Sequence, residues 1–136
     1  MSKKISQRPR RLRRTASIRA GVAETHLRAA QLIQPLFLAT GKNKREEIKT
    51  MPGQFRFSQD TLKKEIHELI QLGVNQIALF PVIDEKLKNS TAKEALNPKG
   101  LAPESLRDLR REFGEDLVII ADVALDPYSS DGRSEE

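Results

Sequence analysis

Short continuous apolar runs alternate with helically spaced apolar positions along this chain. Residues 15–30 (TASIRAGVAETHLRAA) are alanine-rich and predict a short helix, weakened by Gly21. QLIQPLFLAT at 31–40 predicts a strand. Pro35 lacks a backbone donor, which assigns that strand to a sheet margin or makes it irregular there. The polar stretch 41–57, broken by Gly41 and Pro52-Gly53, reads as an exposed loop with a turn and then a short extended piece. Beyond it, Ser58 or Asp60 can cap a helix whose Leu62, Ile66, Leu69 and Ile70 share one face, with Gly73 as its left-handed stop.

QIALFPVI at 76–83 is apolar without alternation, the pattern of a strand buried on both faces. A polar loop over 84–100 leads to a second helix, with Pro103 in its first turn, Leu106, Leu109 and Phe113 facing inward, and Gly114 at its end. LVIIADVAL at 117–125 is a third apolar run, interrupted only by Asp122. Strand, loop, helix, strand, loop, helix, strand is a repeated βαβ pattern of the α/β class. The loops after the strands are long and those after the helices short. Chemistry is therefore expected at the carboxyl ends of the strands. Three parallel strands make a poor core on their own, and a complete eight-stranded barrel takes roughly 250 residues. The expectation is thus part of a larger sheet.

Composition changes this picture in two places. The 136 residues contain no cysteine, which removes disulfides, thiolate metal sites and cysteine nucleophiles. No apolar run reaches membrane-spanning length, and no segment has the character of a secretory signal, so the expected location is the cytoplasm. The net charge of +5 belongs to one tail. Residues 1–14 hold Lys3, Lys4, Arg8, Arg10, Arg11, Arg13 and Arg14 with no acid, leaving seventeen Lys/Arg against nineteen Asp/Glu in the body, a charge of −2. Such an arm can bind nucleic acid, dock on a partner subunit or stay solvated. It has no interleaved aromatic residues for base stacking, so nucleic acid is the weaker reading.

Asp122 is the strongest candidate for chemistry, because a carboxylate closing a buried strand is costly unless it is paired or bound. Asp126 and Asp131 in the following loop could join it around a hard cation such as magnesium, or could be solvated turn residues. His26 and His67 are isolated and fit neither a triad nor a metal site. Lys86, Lys88, Lys93 and Lys99 form a solvated charge run, since an imine-forming lysine needs burial. No glycine-rich phosphate loop is present.

Taken together, RPRRLRRT at 8–15, LIQPLF at 32–37, MPG at 51–53, ALFPVI at 78–83, EALNPKGL at 94–101 and ADVALDPYSSDG at 121–132 resemble the N-terminal portion of the porphobilinogen synthase (delta-aminolevulinate dehydratase) family, in order and spacing. The resemblance implies a TIM barrel, preceded by an arm that wraps a neighbouring subunit in an octamer. It divides this chain into a basic arm, 1–30, and a partial barrel of about three βα units, 31–136. It also implies condensation of two delta-aminolevulinate molecules to porphobilinogen in haem biosynthesis, through two imine-forming lysines on strands beyond residue 136. In zinc-dependent members, cysteines stand at the positions of Ala124, Asp126 and Ser134; here the first two follow the aspartate-containing pattern of members that rely on magnesium or manage without active-site metal, with Asp126 and Asp131 as the metal residues if magnesium is used and Asp122 and Asp126 near the substrate. After Gly132 the family continues into a lid, whereas this chain reads GRSEE. The expectation is a truncated chain without turnover. The alternative is a non-catalytic protein whose arm docks on a full-length homologue.

Overall fold

In a computed structural model that describes residues 9–132, the chain forms one five-stranded mixed sheet backed by two helices. Lys3, Lys4 and Arg8 of the basic run, and Ser134, lie outside the described residues. The arm contains a 3-10 turn, Pro9–Arg13, and a short helix α1, Ala16–Gly21, whose N-terminus is capped by Thr15 accepting from the Ile18 N–H at 3.2 Å. Residues 10–28 are exposed throughout, including the apolar Leu12, Ile18, Val22 and Leu27.

Strand β1, Gln34–Ala39, is followed by a hairpin of β2, Arg45–Glu47, and β3, Phe55–Phe57. Helix α2, Gln59–Gln71, leads to β4, Gln76–Val82. Helix α3, Leu101–Phe113, leads to β5, Val118–Ala121. The sheet order is β2-β3-β1-β4-β5, with β1 parallel to β3 and β4, and β4 parallel to β5. The βαβ reading holds. The stretch 41–57 contains an antiparallel strand, β2, that its polar sequence did not announce.

Two prolines explain where the ladders stop. The Val118 N–H donates to the Asn75 carbonyl at 2.9 Å, which fixes the phase of the ladder. In a parallel pair, successive residues address alternate neighbours. Ile77, Leu79 and Pro81 therefore face β5, and Ala78, the partner of Pro35, faces β1. Pro35 consequently turns its missing donor towards β3, which pairs only with Phe37 and Leu38. This corrects the margin assignment: β1 is an interior strand, and its proline sits where its other neighbour has not begun. At Pro81 the opposite happens. The next link of the β4–β5 ladder would run from residue 81 to the Asp122 carbonyl, and proline has no N–H to supply it. The third strand therefore ends at Ala121 instead of continuing to residue 125.

The core lies between the sheet and the helices. Leu36 and Leu38 of β1, Ile77 and Leu79 of β4, Leu62 and Ile66 of α2, and Leu109 and Phe113 of α3 are buried together, joined by Leu117. On the other face Phe37 and Phe80 stack with ring centroids 5.8 Å apart. β5 departs most from its expected burial, with Val118 51% and Ile120 40% exposed. An apolar run without alternation describes both faces of a strand, but on β5 it is Ile119 that packs against the core. Among the described residues, no helix is long and apolar enough to cross a membrane.

Candidate functional site at the carboxyl ends of the strands

The carboxyl ends of β1, β4 and β5 open onto two loops, 84–100 and 122–132, which lie against each other. The second loop turns at once: the Tyr128 and Ser129 N–H groups both donate to the Leu125 carbonyl, at 2.9 and 3.0 Å. Ser129 is buried, and its Oγ accepts from the Asp131 N–H at 3.1 Å, while Ser130 Oγ donates to Asp131 Oδ1 at 3.0 Å. The first loop is pinned by Asn89. Its N–H donates to the Tyr128 carbonyl at 3.3 Å, and its own carbonyl accepts from Ser130 N–H at 3.2 Å.

Beneath this junction is a cavity of about 250 Å³, bordered by Leu79, Pro81, Leu106, Asp122, Leu125 and Tyr128. Burial raises the Tyr128 phenol above its ordinary value, and the neighbouring Glu94 carboxylate adds to the rise. Glu94 Oε1 accepts from Asn97 Nδ2 at 3.0 Å. Gly100 closes the loop under them: a Cβ there would stand 3.0 Å from both the Asn97 carbonyl and Glu94 Oε1.

The predicted site residues fall as follows. Asp122 follows β5 directly and borders the cavity, but it is exposed. The inference from a costly buried charge is therefore corrected: with β5 open on one face, the carboxylate stays in contact with water. Asp126 and Asp131 are exposed on the turn, and Asp131 is held by the two serines. Among the described residues, no three His, Asp or Glu side chains gather into a set that could hold a metal ion. The three aspartates thus share a loop without forming a ligand cage.

Other expectations are adjusted. Lys86, Lys93 and Lys99 are exposed as a solvated run should be. Lys88 is not: its side chain is 22% exposed and pairs with Glu85 at 2.5 Å. His67 is at the surface but not isolated, since its Nε2 lies 3.2 Å from Glu112 Oε1 and its ring packs on Phe113 at 4.7 Å between centroids. Asn89 was passed over by sequence reasoning. The signal was available in Asn89-Ser90-Thr91, a triplet of residues that bond to nearby backbone.

Three comparisons with known proteins agree. The family model for delta-aminolevulinic acid dehydratase matches residues 6–135. A relative from Chlamydia pneumoniae named delta-aminolevulinic acid dehydratase is 44% identical over 129 residues, covering 95% of this chain and 39% of its own length. A chloroplastic relative from Selaginella martensii is 45% identical over 131 residues, covering 96% of this chain and 31% of its own. The crystal structure of the Toxoplasma gondii delta-aminolevulinic acid dehydratase (porphobilinogen synthase) in complex with the product porphobilinogen superposes with a TM-score of 0.89 at 40% identity, over 96% of this chain and 37% of that one. The chain spans less than two fifths of the length of these relatives.

Proposed function

We propose, since this chain belongs to the delta-aminolevulinic acid dehydratase family, that it supplies the N-terminal part of a porphobilinogen-forming enzyme. Residues 1–30 would be the arm and 31–136 the first strands of a TIM barrel. The reaction is the condensation of two delta-aminolevulinate molecules, with loss of two waters. In this reading Asp122 and Asp126 orient the substrate amine at the mouth of the barrel. A carboxylate there stabilises the ammonium form and holds the nitrogen in one place. The observation that carries the reading is that Asp122 directly follows a parallel strand, borders a cavity with Tyr128, and lies in a matched segment that extends to residue 135.

The imine-forming lysines that the family implies fall outside these 136 residues, so the chain alone is expected to give no turnover. Magnesium on Asp126 and Asp131 belongs to the same proposal; magnesium keeps several waters and needs only one or two carboxylates. The exposed apolar residues Leu12, Ile18, Val22 and Leu27, set among Arg10, Arg11, Arg13, Arg14 and Arg19, support assembly through the arm with a second copy or a longer homologue, the octamer being the expected form. Cytoplasmic residence is proposed with it, although several relatives are named chloroplastic.

A chimera tests the reading. Joining residues 1–132 of this chain to the remaining portion of the Chlamydia pneumoniae relative should give an enzyme that forms porphobilinogen from delta-aminolevulinate, whereas the 136-residue chain gives none. A folded chimera without product, or product from the chain alone, would overturn it.

A further inference from the structure

Asn89 joins the two loops of the site, and its side chain and backbone have different tasks. The side-chain Oδ1 accepts from the Thr91 N–H at 3.1 Å, Thr91 Oγ1 at 2.9 Å and the Lys93 N–H at 3.1 Å. These bonds wind residues 89–93 into a tight turn, with Ala92 in the left-handed region at φ 46° and buried. A side chain other than glycine resists that conformation, so something must hold it. The turn in turn aims the Asn89 backbone outwards, where it donates to the Tyr128 carbonyl and accepts from the Ser130 N–H. Between Asp126 and Asp131, this pairing is the bridge from the post-β5 turn to the rest of the molecule that the ladder pattern records.

We infer that Asn89 is a positioning residue: its side-chain oxygen sets the 89–93 turn, and through that turn fixes the loop carrying Asp126, Tyr128 and Asp131 over the cavity. The importance of that loop rests on the proposed function; the positioning itself does not. Asn89 is exposed, so replacing it removes bonds without opening a hole in the core.

The chain contains one tyrosine and no tryptophan, so intrinsic emission reports Tyr128 alone. In the 136-residue chain, Asn89→Ala should make that emission more accessible to acrylamide, with helical circular dichroism unchanged. Asn89→Leu, which keeps the outline of the side chain without an acceptor, should do the same and gives a second reading if the alanine variant folds poorly. Asn89→Asp retains the acceptor and should leave quenching at the level of the unmodified chain. The inference is overturned if Ala and Leu leave quenching unmoved, or if Asp raises it as they do. An inactive chimera would remove the proposed function yet leave this comparison to decide the role of Asn89.

Discussion

Behind the sheet, α2 and α3 close over Leu38, Ile77 and Leu109 until no solvent reaches them, whereas at the carboxyl end Val123 is 99% exposed and Asp122, Asp126 and Asp131 are exposed. The first region is held by buried apolar area. The second rests on local hydrogen bonds, among them the Asn89 pair, the two that the Leu125 carbonyl accepts, and the Asp131 N–H to Ser129 Oγ. Burial makes a region insensitive to small changes in shape, while a hydrogen-bonded turn can be re-formed around different side chains. Function is expected where the scaffold is rigid behind and adjustable in front.

The largest effect should come from the packed side. Leu109→Ala empties a fully buried position and should cost about 2–5 kcal/mol, read as a lower urea midpoint. A loss below about 1 kcal/mol would mean that the helices do not carry the fold.

A smaller effect sharpens the boundary. Across the outer surface of α2 and α3, Lys63 bonds Asp108 at 2.8 Å and Glu112 at 2.7 Å. The Lys63 ammonium holds both carboxyls below their ordinary values of 3.8 and 4.5, and is itself raised above 10.5 by them. Groups depressed on folding stabilise above their unfolded values and lose that contribution as pH falls through the folded ones. The raised lysine stabilises below 10.5 and loses its contribution as pH rises through its higher folded value. Lys63→Met should cost about 1 kcal/mol or less between these limits, because the partners are partly solvated. It should also flatten the fall in urea midpoint on acidification. An unchanged acid slope would show that the cluster is ornamental.

The least effect on stability is expected at the loop. Asp122→Asn and Asp126→Asn should each leave the unfolding free energy, read by urea denaturation, within about 0.5 kcal/mol of the unmodified chain. A larger loss would mean that the aspartates serve the fold, and the contrast between the two regions would fail.

Which parts were readable from the sequence follows the same division. Leu62, Ile66, Leu109 and Phe113 declare their helices because burial imposes a period, and the continuous runs of β1 and β4 declare their strands. β2 was missed because Arg45-Glu46-Glu47 buries nothing: Arg45 instead lies over the Phe55 ring at 3.6 Å, a cross-strand contact with no period of its own. The end of β5 was misplaced because the residue that stops it, Pro81, lies forty residues from Ala121 in a different strand. The burial expected of Asp122 fails, since a run of apolar letters does not say whether its second face is covered. The turn at Asn89 is legible in Asn89-Ser90-Thr91, but its link to Tyr128 and Ser130 lies beyond the reach of any local pattern.

The most direct test of the account is the kinetics of the chimera with Asp122→Asn. If Asp122 holds the substrate amine, kcat/KM for delta-aminolevulinate should fall by about 100-fold or more, with the unfolding midpoint unmoved. An Asp122→Asn chimera with unaltered kcat and KM would contradict the assignment of the site to the carboxyl end of β5.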